Sequence, residues 1–144
     1  MSNDIRETLG ELVGAAYRLS RVAARATGET TSALAYSALS TLIENGPLRV
    51  GELASLCRVS QPGMTKVVTA LEEGAWVERV TDPLDARASV ISITDAGRVA
   101  RSERLARIGA AIGPYFEGLD PADRAALERA ARILAERGDS ARSG

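Results

Sequence analysis

Histidine is absent from all 144 residues, and cysteine occurs once, at Cys57. These two scarcities remove Ser-His and Cys-His nucleophilic catalysis and histidine-ligated zinc, because one cysteine cannot supply the missing ligands. They also exclude an intramolecular disulfide framework. The chain has no Gly-rich phosphate loop, internal repeat or low-complexity tract. It carries neither a signal peptide nor a long apolar span, so the expected location is the cytoplasm, away from membranes. No catalytic group, metal or cofactor is expected, and the chain does not read as an enzyme. A content of 45% hydrophobic residues is enough to fill the core of one domain, or of a small domain with an appended dimerisation unit.

The most informative stretch runs from Arg58 to Arg87. Ser60 suits an N-cap, since its hydroxyl can accept from an unpaired first-turn amide, and Pro62 comes next but one, where a missing N–H does little harm. In the helix so begun, Met64, Val67, Val68 and Leu71 share one face. Gln61, Pro62, Thr65, Lys66 and Thr69 fall on the other. From Arg58 to Leu71 the only charges are Arg58 and Lys66, both positive, in a chain of formal net charge −1. Local charge matters more than the total for a helix entering a groove. Glutamine can read adenine bidentately, and serine and threonine can bond base or phosphate. A merely solvated face would carry the same residues, so the neighbouring segments have to decide.

Upstream, Val50, Leu53, Ala54 and Cys57 form one stripe of a short helix, and only Arg58-Val59 separates it from Ser60. Two short helices about a tight turn, with apolar Val59 inside it, make a helix-turn-helix. Downstream, Trp76–Val80 and Ser89–Ile93 are rich in β-branched residues and read as a hairpin, or wing. Its tip holds Asp82-Pro83, with Arg87 near the returning strand. An arginine on a protruding hairpin can enter a narrow minor groove. Asp85 can orient it by a charge-assisted bond, although the pair can equally be a surface ion pair of little energetic worth.

The run Asp85–Thr94 fits D-x-R-x-x-x-x-x-[LI]-T, the wing signature of the multiple-antibiotic-resistance regulator family, MarR, and Asp95-Ala96-Gly97-Arg98 resembles the residues next in order there. Asn45-Gly46-Pro47-Leu48, Val50-Gly51-Glu52-Leu53-Ala54 and Val59-Ser60-Gln61-Pro62 are similar to that family in the same order. The resemblance implies a dimeric winged-helix regulator of bacterial transcription, a repressor or an activator. On double-stranded DNA, Arg58, Ser60, Gln61, Pro62, Thr65, Lys66, Thr69, Asp85 and Arg87 would be at the interface. It further implies a small aromatic or amphipathic ligand between dimer region and winged helix, with Tyr17, Arg21 and Tyr36 as candidates. This chain departs from the family pattern in three places. Gly74-Ala75 stands where members often have glycine at the second position, which suggests a helix closing one residue early. Arg49 replaces a capping threonine, and Lys66 replaces an arginine.

The expected fold is mainly α with a small β-wing, in three parts: a dimerisation helix over 1–30, a winged helix-turn-helix over 31–97, and dimerisation helices with a short tail over 98–144. Ile5, Leu9, Leu12, Ala16, Leu19 and Ala23 step by four and three, predicting a helix from about Asn3 to Ala26 with a narrow apolar seam. Thr31 or Ser32 can cap a second helix whose apolar face is Leu34, Ala38, Leu42 and Ile43. Leu48 and Arg49 can add a third strand to the wing. Thr94 can cap a helix interrupted at Gly113-Pro114, and Asp120-Pro121 opens a last one, with Leu127, Ala131 and Leu134 inward, ending by Gly138. Ile5, Leu9, Leu12, Leu127 and Leu134 are the expected homodimer contacts, since C2 dimers are the commonest oligomers. Trp76 is expected to wedge between helix end and wing. Cys57, on the buried stripe, is expected to act as a small hydrophobe, with oxidant sensing as the alternative. A winged helix used only for protein contacts is the other alternative.

Overall fold

A computed structural model describes residues 4–142. The elements in order are α1 (Ile5–Thr27), α2 (Ala33–Asn45), α3 (Val50–Leu56), α4 (Gln61–Glu73), β1 (Val77–Asp82), β2 (Asp85–Ile93), α5 (Asp95–Ile112), a 3-10 turn (Gly113–Phe116) and α6 (Pro121–Arg142). The fold is mainly helical with a two-stranded antiparallel wing, as the residue pattern predicts. The chain divides into two compact units between Ala111 and Ile112.

Helix starts obey local chemistry. Asp4 caps α1 through the amide of Arg6, Ser32 caps α2 through Ala35, and Ser60 caps α4 through Gly63. The expected start of α1 at Asn3 lies outside the described residues. Within the first unit, the core is built where the faces of α2, α3 and α4 meet the wing: Leu39, Leu42, Leu53, Met64, Val68 and Ile91 are the largest fully buried side chains. On α2 the buried stripe is Ala35, Ala38, Leu39 and Leu42, with Tyr36 beside it. Ile43, expected inside, lies one residue beyond that stripe and is 38% exposed. The third strand is reduced to one bridge, Leu48 with Ile91.

The wing is longer than the β-branched runs suggest. Pairing begins at Val77 with Ile93 and closes at Asp82 with Asp85, leaving Pro83-Leu84 as the turn. The register shifts between Thr81 and Asp82, because Thr81 faces Ser89. Ala86, Arg87 and Ala88 therefore bulge out of the ladder, which bends and twists a strand locally.

On α1 only Ala23 is buried, and Ile5, Leu9, Val13 and Tyr17 are exposed. In the second unit no described residue is buried, and Leu127 and Leu134, expected to point inward, are 48% and 45% exposed. Helix α6 does not stop at Gly138 but runs to Arg142. One glycine in an exposed helix costs only about 1 kcal/mol, and the Ser140 hydroxyl donates to the Glu136 carbonyl across it.

Candidate nucleic-acid interface

The turn between α3 and α4 is a Schellman closure. The amide of Val59 donates to the Ala54 carbonyl at 3.0 Å and that of Arg58 to the Ser55 carbonyl at 3.1 Å. This closure needs a left-handed residue between helix and exit, and Arg58 takes that conformation with φ 57°. Val59 is half-buried against the core, as its place in the turn requires. The same device ends α4: Trp76 donates to Leu71, Ala75 donates to Glu72, and Ala75 is left-handed with φ 59°. The helix therefore does not close on Gly74, which stays right-handed at φ −79°. Alanine occupies the place that glycine would take without strain.

Helix α4 buries Met64, Val68 and Leu71, while Gln61, Pro62, Thr65, Lys66 and Thr69 are exposed. Three hydroxyls are already engaged. Ser60 accepts from Gly63, Thr65 donates to the Gln61 carbonyl at 2.9 Å, and Thr69 donates to the Thr65 carbonyl at 2.9 Å. The two threonines are left with lone pairs and methyl groups, suited to accepting from a base amino group or touching a thymine methyl. Gln61 lies over Gly51 of α3; a Cβ there would meet its Oε1 at 3.2 Å. At the far end of α4, Glu72 is taken up by Arg79 of β1 at 2.6 Å.

On the wing, Arg87 is 92% exposed, and both its backbone amide and its Nε contact Asp85 Oδ1, at 3.1 and 3.2 Å. The Arg87 amide, helped by its guanidinium, holds the Asp85 carboxyl below the ordinary value of 3.8. Asp82, only 7% exposed, is also depressed, first by the Leu84 amide and then by Arg49. Arg49 does not cap α3. Its Nε and Nη2 reach Asp82 Oδ2 at 2.8 and 2.7 Å.

Tyr17 and Tyr36 sit in different surroundings. Tyr17 is 70% exposed on α1, whereas Tyr36 is buried beneath Arg104, 4.4 Å above its ring, and accepts from Arg107 at 3.2 Å. These two arginines of α5 also hold Glu29 in the α1–α2 connection. Burial raises the Glu29 carboxyl, but bonds from Tyr36, Arg104 and Arg107 outweigh it and hold the group below 4.5. A groove of about 570 Å³ lies along α4, between Thr30–Ser32 and Lys66, Val67, Ala70, Leu71 and Trp76. Trp76 is half-buried at the junction of helix and wing, 6.0 Å from the Tyr36 ring. Cys57 is not fully buried: it ends α3, with Sγ 3.5 Å from the Thr41 hydroxyl. No group of three or more metal-binding side chains occurs among the described residues. Nor is any described helix long and apolar enough to cross a membrane.

Residues 30–88, which take in α2, α3, α4, β1 and the start of β2, match a known protein family. That stretch is similar to the MarR family. A helix-turn-helix transcriptional regulator of Mycobacterium tuberculosis is 36% identical over 72 residues, 49% of this chain and 50% of the relative. The chain thus spans about half the length of the curated relatives it matches. A MarR family protein from Bacillus stearothermophilus shares the fold, with a TM-score of 0.67 at 22% identity, covering 94% of this chain and 98% of the other. So does BpsR of Bordetella bronchiseptica, whose DNA binding is regulated by 6-hydroxynicotinic acid, with a TM-score of 0.58 at 21% identity, covering 94% and 98%. The curated relatives are described as helix-turn-helix transcriptional regulators.

Helical periodicity places the α4 face but carries no signal of the Arg49–Asp82 and Glu29–Arg104–Arg107 contacts. These join residues 33 to 78 positions apart in the chain.

Proposed function

We propose that this chain is a sequence-specific DNA-binding regulator of transcription, acting as a homodimeric repressor on a pseudo-palindromic operator. Helix α4 lies in the major groove and the wing in the minor groove. The observation that carries this is the exposed face of α4 from Gln61 to Thr69, which carries no acid, with Arg58 exposed in the turn just before it. Gln61 and Thr65 discriminate bases, Thr69 supports them, Ser60 and Pro62 set the start of the helix, and Arg58 and Lys66 contact phosphate.

Homodimerisation is supported by the exposed apolar side chains of Ile5 and Leu9 on α1, with half-buried Leu12 on the same helix, and of Leu127 and Leu134 on α6. A small aromatic or amphipathic ligand releasing the operator is supported by the apolar groove along α4 and by the behaviour of BpsR.

Selection of bound fragments from the source genome defines the operator, and a binding series then tests the reading face. Gln61→Ala and Thr65→Ala should reduce discrimination among operator variants by about 1 to 3 kcal/mol where a bidentate contact is lost. Lys66→Ala should weaken all duplexes alike. An unchanged ranking of operator variants in both of the first two would refute this face, and the absence of any salt-dependent duplex binding would favour a protein-contact module.

A further inference from the structure

Arg49 stands where the helix start calls for a capping side chain, and it makes no cap. Its guanidinium spans instead to Asp82, with two nitrogens on one carboxylate oxygen at 2.7 and 2.8 Å. The other oxygen of Asp82 accepts from the Leu84 amide at 2.9 Å. One buried carboxylate thus joins the first turn of α3, the end of β1 and the hairpin turn. The base of the wing is separately held by the Leu48–Ile91 bridge, but beyond Asp82 the tip projects, with Leu84 94% exposed. A two-stranded ribbon is marginal on its own and twists easily, so an anchor near its tip fixes a soft degree of freedom. Arg87 lies in the bulge that begins directly after this anchored turn.

We infer that Arg49 is a positioning residue: through Asp82 it holds the wing in the pose from which Arg87 reaches the minor groove. The inference rests on the DNA-binding reading above and extends it to a residue pair outside the reading face. Arg49 is 45% exposed at its side chain, so a direct phosphate contact is the rival explanation, and the two differ in sign at Asp82. If Arg49 acts directly, removing the acid beside it frees a cation and strengthens binding. If Arg49 acts through Asp82, the same change loosens the wing and weakens binding.

The test measures affinity of the full chain for its selected operator duplex across a salt series. The variants are Arg87→Ala, Arg49→Ala, Arg49→Lys, Asp82→Asn and the double variant Arg49→Ala/Arg87→Ala. Asp82→Asn keeps the acceptor for the Leu84 amide, so the turn survives, and far-UV circular dichroism checks the fold of each variant. Asp82→Asn and Arg49→Ala should each weaken binding about tenfold, the scale of one lost contact. Arg49→Lys, which retains the charge on a single donor group, should recover part of that loss. Arg87→Ala should add little to Arg49→Ala, because a misplaced wing no longer delivers the arginine. Preference for narrow-groove flanking sequence should disappear while the ranking of major-groove variants stays. Stronger binding by Asp82→Asn, or losses that multiply in the double variant, would overturn the positioning role while leaving the wing at the DNA. If Arg87→Ala binds like the native chain, the minor-groove reading falls, and the role of Arg49 falls with it.

Discussion

The Thr94 hydroxyl donates to the Ala75 carbonyl at 2.6 Å and accepts from the Gly97 amide at 3.1 Å, so one side chain closes α4's exit and opens α5. The Thr94 amide adds a third tie, to the Trp76 carbonyl at 3.0 Å. Thr94→Val keeps the shape and removes both hydroxyl bonds. It should lower unfolding stability by about 1 to 2 kcal/mol, the range for a lost N-cap. Urea denaturation monitored by circular dichroism checks this, and a change within a few tenths would mean that neighbouring groups or water replace the hydroxyl.

Arg58→Gly should move stability and binding in opposite directions. The left-handed backbone at φ 57° strains any side chain by about 1 to 2 kcal/mol. Glycine relieves it but loses about 0.4 to 1 kcal/mol through greater freedom in the unfolded chain. The net expectation is a small gain in stability together with weaker duplex binding at every salt concentration. A gain in both would place Arg58 away from DNA.

At the wing, Arg87→Ala should weaken operator binding and reduce the slope of log affinity against log salt by about 0.9, as for one lost phosphate-equivalent contact. Asp85→Ala decides what its 3.2 Å contact with Arg87 does. Loss of an orienting partner weakens binding, whereas removal of an acid near DNA strengthens it. Weaker binding is expected, and filter binding or fluorescence anisotropy gives the sign.

Glu29 links stability to pH. Its folded carboxyl titrates below 4.5, so the stabilisation is fully present above that value and is lost as pH falls through the depressed folded value. Glu29→Gln should lower stability at neutral pH and flatten the decline on acidification below 4.5. Denaturation midpoints between neutral pH and the acid limb report both effects, and an acid limb as steep as the native one would assign that limb to other carboxylates.

Deletion of α1 should give monomers or aggregates, because Ile5, Leu9 and Val13 expose apolar surface that a single chain leaves uncovered. Sedimentation of the intact chain as a well-folded monomer at micromolar concentration would contradict the dimer.

Much of the fold was legible because it depends on short spacings. Ser60 before Gln61-Pro62, Ser32 before α2 and the alternation near Ile91 each act within a few residues, and each stands where local chemistry puts it. The wing's true length was not legible. Its closing pair, Asp82 with Asp85, consists of two acids that no β-propensity favours, and it is held by Arg49 from another element. Cys57 and Ile43 show the limit of periodicity, since a helical stripe gives a direction, while burial depends on what packs against it. At Ala75 the departure from glycine was visible, but the early closure it suggested did not occur: Thr94, nineteen residues on, bonds the carbonyl of that strained residue.

Gly97 faces the Trp76 backbone so closely that a Cβ would collide with the Trp76 carbonyl oxygen and come within 2.8 Å of Ile93. At this point main chain abuts main chain, and main chain has no rotamers with which to absorb a push. The start of α5 and the exit of α4 therefore meet at a point where only glycine fits. Any side chain at position 97 would have to move the start of α5 away from the exit of α4, so Gly97→Ala is expected to shift that junction.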